Sequence, residues 1–188
     1  MVFEPGQASV LFDYWSDDIE MFVVGGVADA NEAQTIRERY PNVKCLGFEP
    51  NKNFPISDFP GEVRREALWS ENRNLWFVIP DGVDRSAGAV MVSAGGERYE
   101  VQGRRLDEIV SDKKIALWID IEYAELYCLR GCERLLEKGE VLLVNLETFD
   151  QLLPPIAEYL GRYGLREVKR WNDRQIWGRF DIIFKKEF

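Results

Sequence analysis

Residues 115–125 read Ile115-Ala116-Leu117-Trp118-Ile119-Asp120-Ile121-Glu122-Tyr123-Ala124-Glu125, an apolar run that one acid interrupts near its end. An apolar run of this kind is typical of a central strand in a parallel sheet, where both faces of the strand are buried. Beyond it, apolar residues at helical spacing predict a helix over Ala124–Leu136, with Gly139 as its stop. The stretch therefore predicts a buried strand, a turn rich in carboxylates and a helix, in that order.

Strands and helices alternate in the same way on both sides of this stretch. The predicted strands are Met21–Gly25, Val43–Phe48, Val63–Leu68, Ile115–Ile121, Val141–Leu146, Leu165–Trp171 and Ile176–Phe184. The predicted helices are Asn31–Tyr40, Leu106–Val110, Ala124–Leu136 and Leu152–Tyr163, and Asn51–Gly61 is a predicted loop. This alternation favours an α/β fold, a doubly wound, mainly parallel sheet with helices on both faces. We find no linker, so we expect residues 1–188 to form a single domain.

Two parts of the chain depart from the alternation. Short strand patterns at Leu75–Ile79, Ala89–Ser93 and Arg98–Val101 predict a small β insertion at about residues 75–101. At the carboxyl end, Asn172-Asp173 is a turn signal between two strand patterns. The chain is therefore expected to close with an antiparallel hairpin.

The composition excludes several classes of function. Acids outnumber bases by 33 to 24, which argues against a protein that binds duplex nucleic acid. The chain has no histidine, so a general base would have to be a carboxylate, a tyrosine, a lysine or water. The cysteines Cys45, Cys128 and Cys132 are odd in number and have no CxxC spacing, and no histidine could complete a zinc site. We therefore expect them to be reduced, mostly buried thiols, with neither a metal site nor a structural disulfide.

Nothing in the sequence predicts a membrane association. No apolar run approaches the roughly 20 residues that cross a bilayer. The segment Met1–Val10 lacks the basic start of a secretory signal. A cytoplasmic location is therefore the expectation.

Residues suited to a ligand site follow the first two predicted strands, and in open α/β sheets ligands bind at the carboxyl ends of strands. Gly25, Gly26 and Val27 are small enough to let a ligand approach the backbone ahead of a helix N-terminus, although a tight turn explains them equally well. Glu49 ends the second strand, where an acid accepts hydrogen bonds from ribose hydroxyls in nucleotide-type sites. The alternative for Glu49 is a solvated acid ahead of the turn at Pro50.

The third candidate lies at the end of the strand quoted above. Asp120 interrupts an apolar run, where burial of an unpaired charge would be costly. Glu122 and Glu125 are three residues apart at the start of a helix and so share a face. Glu122 could instead serve only to complement the helix N-terminus.

Taken together, these segments resemble the FkbM family of S-adenosylmethionine-dependent methyltransferases. The matching segments are Phe48-Glu49-Pro50-Asn51, Glu66-Ala67-Leu68-Trp69-Ser70, Leu106-Asp107-Glu108-Ile109, Ile119 to Leu126, Leu129-Arg130-Gly131-Cys132, Leu135-Leu136, Tyr163-Gly164-Leu165 and Asp181-Ile182-Ile183-Phe184. The resemblance covers roughly Met21 to Lys185, and its most specific part is the run from Asp120 to Glu125.

The resemblance implies transfer of a methyl group from S-adenosylmethionine to a hydroxyl oxygen of a small molecule or sugar. The implied cofactor-binding residues are Gly25, Gly26 and Val27 at the methionine and ribose side, Glu49, Pro50 and Asn51 at the ribose hydroxyls, and Ala67 and Leu68 beside the adenine. Asp120 would lie near the sulfonium. Glu122 or Glu125 would steer or deprotonate the acceptor.

Several positions depart from the family pattern. In the first motif, the family's aspartate, asparagine and last glycine fall on Val24, Ala28 and Ala30. Tyr123 replaces a glycine, and Asn145 stands where a strand-ending glutamate is common. Two other functions therefore remain open. One is an inactive methyltransferase fold kept as a binding or assembly module, which an exposed cluster among Trp69, Trp76, Trp171 and Trp177 would favour. The other is an NAD-dependent oxidoreductase.

Overall fold

The structure, a computed structural model, describes residues 7–27, 30–81, 89–90, 96–171 and 178–187. The strands are β1 Met21–Gly25, β2 Lys44–Phe48, β3 Glu62–Arg64, β4 Ala67–Leu68, β5 Arg73–Pro80, β6 Ala89–Val90, β7 Gly96–Arg104, β8 Ile115–Ile119, β9 Val141–Phe149, β10 Leu165–Trp171 and β11 Arg179–Lys186. The α-helices are α1 Asn31–Arg39, α2 Glu125–Arg130, α3 Glu133–Glu137 and α4 Leu153–Arg162. Short 3₁₀ segments lie at Gln7–Asp13 and Leu106–Glu108.

The main sheet has seven strands in the order β3-β2-β1-β8-β9-β11-β10. Neighbouring strands from β3 to β9 are parallel, whereas β11 runs antiparallel to both β9 and β10. This confirms the predicted doubly wound sheet, because the order reverses between β1 and β8. The two closing strands pair as predicted, and the turn at Asn172-Asp173 lies outside the described residues.

Helices cover both faces of the main sheet, as predicted. Val23 and Leu117 point to one face and pack in a core with buried side chains of α2, α3 and α4. Phe22 and Ala116 point to the other face, where they pack against α1 and the segment Gln7–Asp13. Because successive residues of a strand point to opposite faces of the sheet, the same short strands contribute side chains to both cores. Among the described helices, none combines the length and the hydrophobicity needed to cross a bilayer.

The predicted insertion forms a second sheet of four strands in the order β4-β7-β5-β6. It takes in Ala67–Leu68, so the prediction of one strand over Val63–Leu68 was wrong. The chain turns at Arg65, whose guanidinium donates hydrogen bonds to the carbonyl oxygens of Asn51 and Phe54 at 2.6 and 2.7 Å. Beyond this turn β4 pairs with β7 of the second sheet, which residue types alone did not indicate.

The single helix predicted over Ala124–Leu136 is in fact two short helices, α2 and α3, which break at Gly131. A Cβ atom on Gly131 would lie less than 3.0 Å from the Trp69 carbonyl oxygen, so the two backbones touch there. Asp107, which is 2% exposed, accepts a hydrogen bond from the Arg134 N–H at 3.1 Å near the start of α3. The break is thus stabilised by a carboxylate cap from a separate segment. That segment, predicted as a helix over Leu106–Val110, is a 3₁₀ turn.

The cysteines and tryptophans can be compared directly with the sequence analysis. All three cysteines are free and buried, as predicted. Trp69 is buried, Trp171 is partly buried and Trp76 is 55% exposed, while Trp177 lies outside the described residues. The three described tryptophans therefore form no exposed cluster of the kind that would favour a partner-binding module.

Candidate functional site

The carboxyl ends of β1, β2 and β8 meet at a glycine turn. Gly25 is in register with Phe48 on one side and Ile119 on the other. Gly26 has a φ of +81°, and its N–H donates to the Phe48 carbonyl oxygen at 2.9 Å. A Cβ atom on Gly26 would come within 3.0 Å of the Asp120 carbonyl oxygen, so this turn requires glycine. The structure thus brings together the glycine pair, the residue before Glu49 and Asp120.

The rest of the first motif is partly described. Val27 is completely buried and packs in the core against the backbone of Gly47, so its side chain faces the fold rather than a ligand. Ala30, at the position of the family's last glycine, has a φ of +64°. This left-handed conformation is one that glycine adopts more easily than alanine. The substituted position Ala28 lies outside the described residues.

The second strand end carries a buried carboxylate. Glu49 is 7% exposed, and its Oε1 accepts a hydrogen bond from the Asn51 N–H at 2.8 Å. Asn51 is 1% exposed and its side-chain oxygen accepts from the Asn53 N–H at 3.0 Å. Residues 49–54, the Glu49 loop, are therefore an ordered turn with an acid at its base rather than a solvated acid, and Pro50 lies within it.

Ala67 and Leu68 lie at the edge of this site. Both are buried in β4, which belongs to the second sheet. The Leu68 Cδ1 atom lies 3.1 Å from the position that a Cβ of Gly25 would occupy. Leu68 thus packs beside the glycine turn and provides an apolar wall next to it.

Beyond Asp120, the site contains a cluster of four charged residues, which we call the Asp120 cluster: Asp120, Glu122, Glu147 and Arg179. The Arg179 guanidinium lies 3.6 Å from Asp120 and 3.2 Å from Glu122, and it also contacts the Glu147 carboxylate. Glu147 is 7% exposed and Arg179 is 16% exposed in its side chain. Three carboxylates and one guanidinium leave the cluster with a net negative charge.

The site predicted from the sequence did not include Glu147 and Arg179, and the prediction for this strand explains the omission of Glu147. It ended the fifth main-sheet strand at Leu146 and treated Asn145 as the strand-ending position. In the structure β9 continues to Phe149 because β11 pairs along it, and Asn145 is buried within the strand. The available signal was the acid at position 147, two residues past Asn145 in an otherwise apolar run.

The carboxylates of the Asp120 cluster also have a spacing that could suit a cation. Oxygens of Asp120, Glu122 and Glu147 lie within 4.8 Å of one another, and hard divalent cations prefer oxygen ligands. The Arg179 guanidinium already contacts all three. The described residues therefore neutralise part of this charge with a side chain, and no metal is needed to explain the geometry.

Glu125 lies apart from the ion pairs of the cluster. It is 3% exposed, and its Oε1 accepts a hydrogen bond from the Tyr123 N–H at 3.1 Å. Burial raises the pKa of Glu125 to about 7, and the charges of Asp120 and Glu122 push it in the same direction. In this conformation its carboxyl group supports the turn between β8 and α2 from inside.

The turn itself is strained at two residues. Glu122 and Tyr123 have φ angles of +50° and +71°, a region that L residues rarely adopt. The family has glycine at the position of Tyr123, which fits that backbone without strain. Here the Tyr123 ring stacks on Phe149 with centroids 4.8 Å apart and planes 2° from parallel, yet the residue is 54% exposed. The stacked pair places an aromatic surface beside the Asp120 cluster.

The strain predicts a difference between two truncations of Tyr123. Tyr123→Ala and Tyr123→Gly both remove the stacked ring, but only glycine relaxes the backbone. We expect the alanine variant to be less stable than the glycine variant by about 1 kcal/mol. Urea denaturation of the two proteins measures this difference. Equal stability would show that the left-handed conformation at Tyr123 costs nothing.

The sequence that forms this site matches a known protein family. A family model described as "Methyltransferase FkbM domain" matches residues 26–167, well over half of the chain. The chain belongs to the FkbM methyltransferase family. The match begins at the glycine turn and includes Glu49 and the whole segment from Asp120 to Glu125.

One solved structure supports the fold of this FkbM-family protein, and a second gives a weaker match. A crystal structure of Methyltransferase FkbM from Methylobacillus flagellatus KT superposes with a TM-score of 0.61 at 13% identity, covering 89% of this chain and 44% of that one. A crystal structure of TnmH aligns at 10% identity with a TM-score of 0.46, covering 96% of this chain and 54% of that chain. The chain thus spans about half the length of these proteins. No curated protein matches the sequence.

Proposed function

We propose that this FkbM-family chain binds S-adenosylmethionine and transfers its methyl group to a hydroxyl of a small molecule or sugar. The observation that carries the proposal is the convergence of the Gly25-Gly26 turn, Glu49 and Asp120 at adjacent strand ends. Family membership favours methyl transfer over the NAD-dependent oxidoreductase considered from the sequence. The proposal extends to the acceptor class, which the family name alone does not specify.

The residues present fit the cofactor. The glycine pair has no side chains at the end of β1, which permits close approach of a ligand to its backbone, and Leu68 provides an apolar surface beside it. The Glu49 carboxylate can accept hydrogen bonds from the two ribose hydroxyls, since a carboxylate offers several acceptor sites. The net negative charge of the Asp120 cluster favours a cationic sulfonium nearby. When bound, the cofactor supplies an electrophilic methyl group on a positively charged sulfur.

We assign the acceptor side to the exposed edge of the Asp120 cluster. Glu122 is one-third exposed and can accept the proton that an acceptor hydroxyl loses. Because the chain has no histidine, a carboxylate is a suitable general base for this step. Arg179 holds Asp120 and Glu122 in fixed positions, and in-line methyl transfer depends strongly on such positioning. Glu125 supports the turn in this scheme and does not face the acceptor.

Titration calorimetry with S-adenosylhomocysteine tests the proposal. We expect binding in the micromolar range. Glu49→Ala should weaken it by about 10- to 100-fold, because hydrogen bonds to a charged group contribute roughly 1.5–3 kcal/mol. Glu62→Ala is the matched control, since Glu62 is an exposed acid on the neighbouring strand β3. Once an acceptor is found, Asp120→Ala and Glu122→Ala should lower turnover.

One result would contradict the proposal, and another would contradict only the roles of two residues. No heat and no thermal shift at millimolar ligand would show that the altered first motif has abolished the cofactor site, since a ligand well above its Kd must stabilise the fold. The buried Val24, which stands at the position of the family's aspartate, is the observation that favours this second candidate, a non-catalytic binding module. Unchanged turnover in the Asp120 and Glu122 variants would instead remove only their assigned roles.

A further inference from the structure

The second sheet contacts the Glu49 loop through side chains of β7, and the Tyr99 hydroxyl makes two of these contacts. Tyr99 lies on β7, and its Oη donates to the Pro50 carbonyl oxygen at 3.3 Å while accepting from the Lys52 N–H at 3.0 Å. Its pKa is raised by burial, so the hydroxyl keeps the proton that it donates. The ring packs against Phe77 on the neighbouring strand, with centroids 5.5 Å apart. The Tyr99 side chain thus joins β7 to loop residues that lie 47 and 49 positions earlier in the sequence.

Charged side chains make further contacts at the Glu49 loop. The Lys52 ammonium lies 4.2 Å from the centre of the Tyr99 ring and pairs with Glu97 at 2.8 Å. The Arg65 guanidinium also donates to the Asn51 carbonyl oxygen at 2.6 Å. The stretch from Glu49 to Gly61 contains no helix or strand, so these contacts fix a segment with no regular backbone pairing of its own.

We propose that Tyr99 is a positioning residue of the cofactor site, through which the second sheet holds the Glu49 loop in its ligand-binding conformation. The inference rests on the proposed function, because it assigns the Glu49 carboxylate to a ribose. The loss of conformational entropy on ordering a loop costs about 1–2 kcal/mol per residue. When the loop is already ordered in the free protein, this cost does not reduce the affinity for the ligand. The second sheet therefore orders the cofactor site, although the proposed cofactor-binding acids Glu49 and Asp120 both follow strands of the main sheet.

Tyr99→Phe removes the hydroxyl and keeps the ring, so it tests the hydrogen bonds alone. We expect the Kd for S-adenosylhomocysteine to rise about tenfold, the effect of losing roughly one hydrogen bond. 5′-Methylthioadenosine, which has the ribose but no amino acid, should lose the same factor. Trp76→Phe is the matched control, an aromatic change on the opposite face of the same sheet, and it should leave both Kd values unchanged.

A double-mutant cycle separates positioning from general stability. If Tyr99 acts through Glu49, Tyr99→Phe should cost no further affinity in a Glu49→Ala background. Hydrogen exchange at the Lys52 amide should also be faster in Tyr99→Phe, because that N–H loses its acceptor. An equal loss of affinity in both backgrounds would show that Tyr99 acts independently of Glu49 and would overturn the proposal.

The remaining outcomes are distinguishable from failure of the proposed function. If the wild-type chain does not bind S-adenosylhomocysteine, the proposed function fails and this inference falls with it. If the wild type binds and Tyr99→Phe binds equally well, the function stands and the positioning role is overturned. Failure of Tyr99→Phe to fold would likewise count against it, since Tyr99 would then be a residue of the fold rather than of the site.

Discussion

Replacing Gly26 with alanine is expected to destabilise the chain by about 3 kcal/mol. The φ of +81° costs an L residue about 1 kcal/mol. In addition, the new methyl group would meet the carbonyl oxygen of Asp120 at less than 3.0 Å. That neighbour is backbone, so it cannot move aside as a flexible side chain would, and overpacking of this kind costs roughly 1–3 kcal/mol. Chemical denaturation measures the change, and the cofactor site should be lost with it.

Gly139→Ala is the matched control for this variant. Gly139 also has a positive φ, +64°, but its nearest neighbour is the flexible end of Lys186 at 3.8 Å. This substitution should therefore cost only the backbone part, about 1 kcal/mol. The difference between the two variants measures how closely β1 and β8 approach at the site. If both variants lose the same stability, the close approach at Gly26 contributes nothing.

Glu125→Gln should stabilise the chain at pH 8 and leave it unchanged near pH 4. The pKa of Glu125 is raised to about 7 by burial, so the folded state holds its proton where the unfolded state has lost it. The free energy of unfolding should therefore fall as the pH rises from about 4.5 to about 7, by roughly 3 kcal/mol at one pKa unit per 1.36 kcal/mol. Glutamine has no proton to lose, and its side-chain oxygen can still accept from the Tyr123 N–H.

Thermal or urea unfolding across pH 4–8 measures this effect as the difference between the variant and the wild type. Glu137→Gln is a suitable control, because Glu137 is an exposed acid on α3 and its replacement should change stability by less than about 0.5 kcal/mol. Parallel unfolding profiles for wild type and Glu125→Gln over the whole range would show that Glu125 titrates normally.

The positions that the sequence predicted correctly are those where a local pattern has one stable outcome. Met21–Gly25 was predicted to the residue, because a short apolar run between polar segments has to be buried. The turn after it was also predicted, since adjacent glycines seldom lie within a strand. The segment from Asp120 to Glu125 was chosen because its acids are costly inside an apolar run, and the structure places Asp120 and Glu122 in one charged cluster.

Predictions failed where distant contacts decide the backbone. The helix breaks at Gly131, where the Trp69 backbone lies too close to leave room for a Cβ atom. No residue within Ala124–Leu136 predicts that contact. Glu147 and Arg179 entered the site because β11 pairs with β9 and extends it past Leu146. A single sequence contains both residues but gives no measure of which strand will lie beside which.

The sequence by itself determined the fold class, the succession of strands and helices along the chain and the resemblance to the family, because burial of apolar runs and the spacing of turn residues are local properties. Only the tertiary structure decided that Tyr99 holds the Glu49 loop at Pro50 and Lys52, that Arg179 joins three carboxylates, and that Tyr123 adopts a backbone suited to glycine. Each of these depends on groups brought together from elements far apart in the chain. The free energy that holds them comes from packing of the whole domain, which no local pattern records.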